Sequence, residues 1–316
     1  MTALAPDTST FRHEAFLYRG DDEFTDGVLA FVREGLEHGD AVVVVEPADR
    51  LERLRDFLGD AAAEVRWLDM HRVGANPGRL VGVWSTALAE TRAAGRRLRG
   101  VGEPAWAGRR PQELAECYLH ELLLNRAFGE GPGWRLMCPY DERALPSTAL
   151  ACAHRSHPEW SSPAARGDTG AAVGADLATD LATACAAPLP PPTGAVLRGE
   201  FGPDDVPAVR HTVASWARSC RLPADQVDLL ELAASELTTN AVQHGGGAGM
   251  VALWAERGAV VVQVSDGGPG ADPMAGRRPP AGPDDAAGLH LLHQLCDLLQ
   301  LRTSAAGTTV RVTVWR

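Results

Sequence analysis

The amino-acid sequence predicts an α/β protein with two unlike domains, and three observations support this fold class. Short apolar runs alternate with helical patterns over residues 1–160, which predicts a parallel sheet covered by helices on both faces. Residues 161–193 hold ten alanines and five prolines and predict a linker. Residues 194–316 follow the order helix, helix, strand, strand, loop, helix and strand, which predicts an α/β sandwich with a mainly antiparallel sheet.

Strands and helices are predicted to alternate in the first domain. The run AVVVV at residues 41–45 is apolar at every position, which favours a central strand buried on both faces. Apolar residues between Phe24 and Leu36 recur on one face and predict the first helix. Because ligands in parallel sheets collect at the carboxyl ends of strands, we expect a binding site at that edge. The other predicted strands are residues 14–18, 64–68, 98–102 and 134–138, and the other helices are residues 48–59, 78–96 and 111–128.

The linker and the second domain have a different pattern. One or two helical turns are expected near residues 175–184, followed by a stiff polyproline spacer. In the second domain a loop rich in proline and glycine, residues 271–287, separates the second predicted strand from the last predicted helix. The predicted helices lie near residues 204–221, 225–244 and 289–298, and the predicted strands are residues 250–256, 259–266 and 308–315.

The charge of the chain excludes several chemistries. All 30 basic residues are arginine, so a phosphate-binding P-loop, an ordinary protein kinase site and Schiff-base chemistry lack their lysine. The formal net charge of −11 argues against a nucleic-acid partner. No apolar run approaches the length of a membrane span, so we expect a soluble, cytoplasmic protein without membrane contact. The six cysteines form no C-x-x-C pair, and we expect buried thiols instead of disulfides or a zinc site.

The segment SELTTNAVQHG at residues 235–245 carries the strongest chemical signal. Glu236 and Asn240 are four residues apart on a predicted helix, so they project from the same face about one turn apart. The amide oxygen of Asn240 is a suitable ligand for Mg²⁺, and the Glu236 carboxylate can accept a proton from an attacking hydroxyl group or water. Taken alone, the pair is also compatible with a solvated helix face.

Three glycine-containing segments follow this helix in an order that indicates a bound nucleotide. In DGGPG, at residues 266–270, Asp266 can accept a hydrogen bond from an exocyclic amine, and the glycines let the backbone approach a flat ring. Gly288 opens a helix whose first backbone N–H groups can face phosphate oxygens. GTTV, at residues 307–310, begins the last strand with small polar groups. Each segment alone is also typical of an ordinary turn or helix start.

Together these motifs make residues 197–316 resemble the Bergerat-fold (GHKL) ATPases, which include histidine kinases, Hsp90, gyrase B and anti-sigma factor serine kinases. The resemblance implies that ATP and Mg²⁺ are the cofactors, with Asn240 coordinating the Mg²⁺ ion and Asp266 holding the adenine amine. Either Arg277 or Arg278 is implied at the γ-phosphate. The other residues implied at the nucleotide are Gly268, Gly270, Gly288, Leu289 and Thr308.

The residue at position 236 distinguishes branches of this superfamily. Histidine kinases commonly carry Asn there, whereas anti-sigma kinases and true ATPases carry a general-base Glu, as this chain does. The segment ELTTNAVQHG most resembles the anti-sigma regulatory factors of actinobacteria. That resemblance implies a serine/threonine kinase in transcription regulation, with Glu236 as the catalytic residue that activates a serine hydroxyl of an anti-anti-sigma partner. Ala286 departs from the family pattern, which usually has a glycine at this position.

Several short segments of the first domain carry a second resemblance. They are His13 with FLY at residues 16–18, GEPAW at 102–106, Tyr118 with Glu121 and Asn125, CPYD at 138–141, and His157 with Pro158. Through them residues 13–160 resemble the MEDS domain, which implies a RecA-like fold and the sensing of a small molecule. The segment RGDDEF after the first strand has no Gly-Lys pair, so we expect no P-loop and no nucleotide there. The candidate pocket residues at or beside strand ends are His13, Glu103, Tyr140 and Asp141, with capping and loop roles as the alternative.

The favoured hypothesis is a sensory domain joined by a flexible linker to an ATP-binding serine/threonine kinase domain, whose partner is an anti-anti-sigma factor or a sigma factor. A second hypothesis is a non-catalytic module in which nucleotide sets the conformation that holds the partner. The third is a sensor histidine kinase with His120 as phosphoacceptor, although apolar neighbours make its helix look core-facing. The resemblance is also compatible with a homodimer.

Overall fold

The structure is a computed structural model that describes residues 10–168, 173–256, 258–282 and 286–316. The chain divides into two units, Met1–Leu181 and Ala182–Arg316. Both units are α/β, as predicted, and each has its own sheet. Among the described residues no helix combines the length and the apolarity that a membrane span needs.

Among the described residues of the first unit, seven strands form one sheet. They are β1 at Arg12–Tyr18, β2 at Ala41–Glu46, β3 at Val65–Asp69, β4 at Leu98–Gly102, β5 at Arg135–Asp141, β6 at Glu159–Ser161 and β7 at Arg166–Asp168. Their order in the sheet is β3-β2-β4-β5-β1-β6-β7. All pairs are parallel except β6 with β7. The five predicted strands are confirmed as β1 to β5. Strands β6 and β7 were missed because three residues are too few to show an alternating pattern.

The helices of this unit connect the strands and cover the sheet. They are α1 at Asp21–Glu37, α2 at Ala48–Leu58, α3 at Met70–Val73, α4 at Leu80–Ala93, α5 at Pro111–Phe128 and α6 at Ser147–Ser156. The central strand β2 is buried on both faces, with Val44 and Val45 fully inaccessible to solvent, as its apolar run predicts. The four predicted helices are confirmed, whereas α3 and α6 were not predicted.

The segment predicted as a linker contains more regular structure than expected. Helix α7 occupies Val173–Ala186, about four turns long, where one or two turns were predicted. Its alanines favour helix formation, and Asp180 accepts hydrogen bonds from Tyr118 and Arg155 in the first unit. The helical part of the predicted linker is therefore longer than the sequence indicates.

The described residues of the second unit form a five-stranded antiparallel sheet in the order β11-β12-β10-β9-β8. The strands are β8 at Val196–Phe201, β9 at Gly249–Glu256, β10 at Ala259–Asp266, β11 at Leu298–Ser304 and β12 at Gly307–Trp315. The helices are α8 at Val206–Ser219, α9 at Ala224–His244 and α10 at Ala287–Leu295. Alternate strand residues such as Val262 and Val312 pack against α8, α9 and α10 in one core, which confirms the predicted sandwich.

Two strands of this sheet were not predicted. Strand β8 lies at the sheet edge, where only Phe201 of its six residues is buried, so its sequence has little apolar alternation. The prediction of a helix over residues 289–298 is wrong at its end, because α10 stops at Leu295 and β11 begins at Leu298. Leu299 and Leu301 face the core from β11 with the period of a strand.

Candidate functional site

Helix α9 presents the two residues that the sequence singles out. Leu237 and Ala241 on one side of the helix are buried in the core of the second unit. Glu236 and Asn240 lie beside this buried side, one turn apart, and both are half-buried. The structure therefore places a carboxylate and an amide next to each other along the rim of the helix.

Asp266 lies where β10 ends and directly beside the end of α9. The backbone of Gly245, the residue after α9, is so close to the Asp266 side chain that a Cβ atom at position 245 would overlap it. The Asp266 Oδ1 atom accepts a hydrogen bond of 3.0 Å from the backbone N–H of Gly268. A Cβ atom at Gly268 would in turn lie 2.6 Å from the Gly245 Cα atom. Glycine at both positions lets these two turns touch around the carboxylate.

The start of β12 completes this end of the site. Thr308 is paired with Asp266 in the antiparallel register, and both are half-buried on the helix-facing side of the sheet. Gly307 has a φ of +130° and packs against the Asp266 backbone, where any larger residue would overlap the carbonyl oxygen. Gly270 has a φ of +84°, and a Cβ atom at this position would lie only 2.6 Å from the Ser304 carbonyl oxygen. The first and last glycine segments therefore meet, as the nucleotide hypothesis requires.

The start of α10 lies against Glu236. A Cβ atom at Gly288 would overlap the Glu236 Oε2 atom, so the carboxylate rests on the first turn of α10. The first backbone N–H groups of a helix have no partner within the helix and attract negative charge. Glu236 and Gly245, the residue after α9, are nine positions apart, which corresponds to about 13 Å at 1.5 Å per residue. The predicted site residues thus form an extended line from Gly288 to Asp266.

Three further residues that the resemblance implies differ in how accessible their side chains are. Leu289 is buried in the core beneath Gly276, so its side chain does not face the line of site residues. Arg277 is 1% exposed, and its Nε atom donates to the Pro273 carbonyl oxygen. Arg278 is exposed. Of the two candidate arginines, Arg278 is therefore the one whose side chain is accessible to a ligand.

Helix α10 begins after a residue with a left-handed backbone. Ala286 has φ 42° and ψ 39°, a conformation that costs a residue with a Cβ atom about 1–2 kcal/mol. The sequence departs from the Bergerat pattern at this same position, where glycine is usual. The departure therefore places a residue with a Cβ atom in a left-handed conformation and adds strain at the entrance to α10.

We expect Ala286→Gly to increase the free energy of unfolding of the second unit by up to about 1 kcal/mol, because glycine relieves the strain but adds entropy to the unfolded chain. The matched control is Ala287→Gly, one residue into the helix, which should instead destabilise by about 1 kcal/mol. Denaturant unfolding of both variants checks the prediction. Equal destabilisation by the two changes would contradict it.

The residues present fit a nucleotide with its magnesium ion. Glycines stand at the close approaches between backbone segments around Asp266, and a carboxylate remains accessible there for an amine donor. Asn240 supplies the oxygen ligand that Mg²⁺ prefers, one turn from Glu236. The N-terminus of α10 offers backbone donors to phosphate oxygens next to the Glu236 carboxylate.

In the first unit, the predicted pocket residues fall into separate surroundings. Glu103, directly after β4, forms an ion pair with Arg50 and accepts a 3.0 Å hydrogen bond from the Tyr18 hydroxyl. Asp141 accepts hydrogen bonds from the backbone of the turn that follows β5, which is the predicted alternative of a capping role. His13 and Tyr140 lie elsewhere, in a buried group around Glu121.

Glu46, at the carboxyl end of β2, is fully buried near the same ion pair, with Arg50 at 3.9 Å. Burial raises the pKa of Glu46 to about 8, with Arg50 opposing the shift and Asp49 adding to it. Between pH 4.5 and pH 8 the folded protein therefore keeps a proton on Glu46 that the unfolded chain has lost. Consequently the free energy of unfolding falls as the pH rises through this window.

Glu46→Gln should remove that pH dependence. Relative to the unaltered chain, we expect the variant to gain at least about 1 kcal/mol more stability at pH 8 than at pH 5, since one pKa unit corresponds to 1.4 kcal/mol. Denaturant unfolding of the first unit at the two pH values measures the difference. A stability difference that is the same at pH 5 and pH 8 would refute the assignment.

The comparisons with known proteins match one family model in each unit. Residues 12–158 match the family model described as MEDS, the methanogen/methylotroph DcmR sensory domain. Residues 200–314 match the model described as a histidine kinase-like ATPase domain, a fold that implies ATP binding, typically with Mg²⁺. No curated protein matches the chain. The chain therefore carries a MEDS sensory domain followed by a histidine kinase-like ATPase domain, which together support an ATP-binding regulator with a sensory input.

Proposed function

We propose that the chain is an ATP-dependent anti-sigma regulatory factor with serine/threonine kinase activity toward an anti-anti-sigma partner. One observation carries the proposal: the Glu236 carboxylate rests on Gly288 at the N-terminus of α10, one turn from Asn240. A proton acceptor, a metal ligand and a set of phosphate donors are thereby next to one another. This is the arrangement that phosphoryl transfer to a hydroxyl group requires.

When bound, ATP with Mg²⁺ supplies a transferable phosphoryl group and neutralises part of its charge. Asp266, which lies against Gly245 and Gly268, would accept a hydrogen bond from the adenine amine. Asn240 would hold the metal ion through its amide oxygen. Glu236 accepts the proton of the incoming serine hydroxyl, so that its oxygen attacks as a stronger nucleophile. The MEDS unit binds a small molecule, and this binding changes the activity of the kinase unit toward its partner.

A non-catalytic, ATP-dependent binding module is the second candidate, and Ala286 favours it. The strained left-handed alanine stands at the helix start that would hold the phosphates. In this case ATP sets the conformation of a surface that binds a sigma factor or another partner, and Glu236 is not needed. A sensor histidine kinase is disfavoured because His120 is only 1% exposed and therefore inaccessible to a second domain.

The proposal is tested by incubating the full chain with γ-labelled ATP, Mg²⁺ and anti-anti-sigma proteins encoded in the same genome. We expect acid-stable phosphoserine or phosphothreonine on one of them. ATP-dependent capture of a partner without label would favour the non-catalytic module. Acid-labile label on the chain itself would favour a histidine kinase, and either outcome overturns the kinase proposal.

A further inference from the structure

Four buried side chains of the first unit converge on one point, although they come from four different elements. His13 lies on β1, Glu121 on α5, Cys138 on β5, and His157 directly after α6. Their relative exposures are 1%, 1%, 2% and 0%. The atoms that face one another are the two histidine Nε2 atoms, the Cys138 Sγ atom and the Glu121 Oε2 atom, all within 4.8 Å of each other. Nitrogen, sulfur and oxygen donors are therefore gathered in a space closed to solvent.

The hydrogen bonds of His13 fix which of its ring nitrogens faces the centre with a lone pair. The Asn125 Nδ2 atom donates to the carbonyl oxygens of Glu121 and Ser156, so the orientation of this amide is determined. The Asn125 Oδ1 atom therefore faces the His13 Nδ1 atom at 3.1 Å, and Nδ1 must carry the proton. In the neutral ring, Nε2 is then an electron-pair donor directed at Glu121 and Cys138.

His157 is oriented in the same way. Its Nδ1 atom lies 2.8 Å from the Ala153 carbonyl oxygen, which can only accept, so this nitrogen also carries the proton. Burial lowers the pKa of His13 to about 4 and that of His157 to about 3, which keeps both rings neutral at pH 7. A carbonyl or amide oxygen behind each imidazole is the usual support of a metal-binding histidine.

The carboxylate of Glu121 divides its two oxygens between different partners. Its Oε1 atom accepts a 3.0 Å hydrogen bond from the Tyr140 hydroxyl group. Its Oε2 atom faces the Nε2 atoms of His13 and His157 at 3.0 and 3.5 Å. One carboxylate oxygen and two imidazole nitrogens therefore face the same point, where a cation could be bound by all three.

The spacing of the donors matches a tetrahedral ion. Metal distances of about 2.0–2.1 Å to nitrogen or oxygen and about 2.3 Å to sulfur give edges of roughly 3.3–3.6 Å between donors. The Cys138 Sγ atom lies 3.4 Å from the His13 Nε2 atom and 3.6 Å from the Glu121 Oε2 atom. Together with the two Glu121–histidine distances, four of the six edges are close to the expected lengths. Two imidazoles, one thiolate and one carboxylate are ligands that suit Zn²⁺ and not Mg²⁺ or Ca²⁺.

We propose that His13, Glu121, Cys138 and His157 bind one zinc-class divalent ion in a closed, four-coordinate site. On binding, the Cys138 thiol releases its proton to solvent and its sulfur becomes a thiolate ligand, so one proton leaves for each ion. No coordination position remains for substrate, so the ion ties β1, β5, α5 and the end of α6 together. The inference is independent of the proposed kinase function, because it concerns only the first unit.

The test uses the full chain, first stripped by a chelator under mild denaturation and refolded, and then titrated with Co²⁺ and with Zn²⁺. We expect one Co²⁺ per chain, with the intense visible bands of a tetrahedral ion and a near-ultraviolet thiolate-to-cobalt band. Zn²⁺ should displace Co²⁺ and raise the melting temperature. No stoichiometric binding, or the weak spectrum of an octahedral ion, would overturn the proposal without reference to any variant.

Cys138→Ser adds a direct test of the sulfur ligand. It should abolish the thiolate-to-cobalt band and weaken Zn²⁺ binding by about 100-fold or more. Substitution of a residue that only supports a metal ligand already weakens metal binding by about 10-fold to 100-fold. The matched control is Cys117→Ser, since Cys117 is equally buried in the same unit but contacts the Pro104 carbonyl oxygen. Loss of the band in the control, or its survival in Cys138→Ser, would refute the assignment.

Discussion

Replacing Glu236 with glutamine should lower the rate of phosphoryl transfer to the partner by about 100-fold to 10,000-fold, the usual contribution of a general base. Glutamine keeps the size of the side chain and its contact with Gly288 but cannot accept the serine proton. ATP affinity should therefore change little. Single-turnover transfer of labelled phosphate, together with calorimetric ATP binding, separates the two quantities.

The control for this variant lies on the same helix. Glu231, five residues before Glu236 on α9, pairs with Arg210 at 2.8 Å instead of resting on Gly288 as Glu236 does. Glu231→Gln should leave the transfer rate unchanged. Transfer that survives in Glu236→Gln, or is lost equally in both variants, would contradict the role of Glu236 as proton acceptor.

Asn240→Ala should reduce the Mg²⁺-dependent affinity for ATP by about 100-fold, because alanine offers no oxygen to the metal ion. In the absence of Mg²⁺ the variant and the unaltered chain should bind ATP alike. Gln243→Ala, at an exposed position on the same helix, is the matched control and should behave as the unaltered chain in both conditions. Calorimetry with and without Mg²⁺ makes the comparison, and an unchanged magnesium effect in Asn240→Ala would refute the assignment.

The local parts of the candidate nucleotide site could be predicted because each of them lies within one short segment of the sequence. The four-residue spacing of Glu236 and Asn240 follows from helical periodicity, and the glycines at the start of β12 and after β10 stand at turns. The contact between Gly288 and Glu236 joins distant segments, and no spacing in the sequence expresses it. The burial of Leu289 beneath Gly276 was likewise visible only once the fold was known.

Other features were missed for different physical reasons. Strand β8 has one buried residue among six, so it lacks the alternation by which strands are recognised. The alanines of α7 resemble those of a flexible linker, although alanine is also the best helix former.

The cysteines show what spacing in the sequence leaves out. The absence of C-x-x-C pairs predicts buried thiols instead of a zinc site, whereas the group that we propose as a metal site, Cys138 with His13, Glu121 and His157, comes together only because separate elements fold against one another. These residues had already carried the resemblance to the MEDS family, each within a separate short segment. That overlap was the one signal in the sequence that could have brought them together as a candidate group.

The most direct test of the central claim is whether Asp266 recognises the adenine amine. Binding of ATP and of inosine triphosphate, which lacks this amine, should be measured calorimetrically on the full chain and on Asp266→Ala. We expect ATP to bind the unaltered chain at least about tenfold more tightly than inosine triphosphate, and the two to bind the variant alike. Absence of ATP binding at millimolar concentration, or an undiminished preference for ATP in Asp266→Ala, would contradict the account.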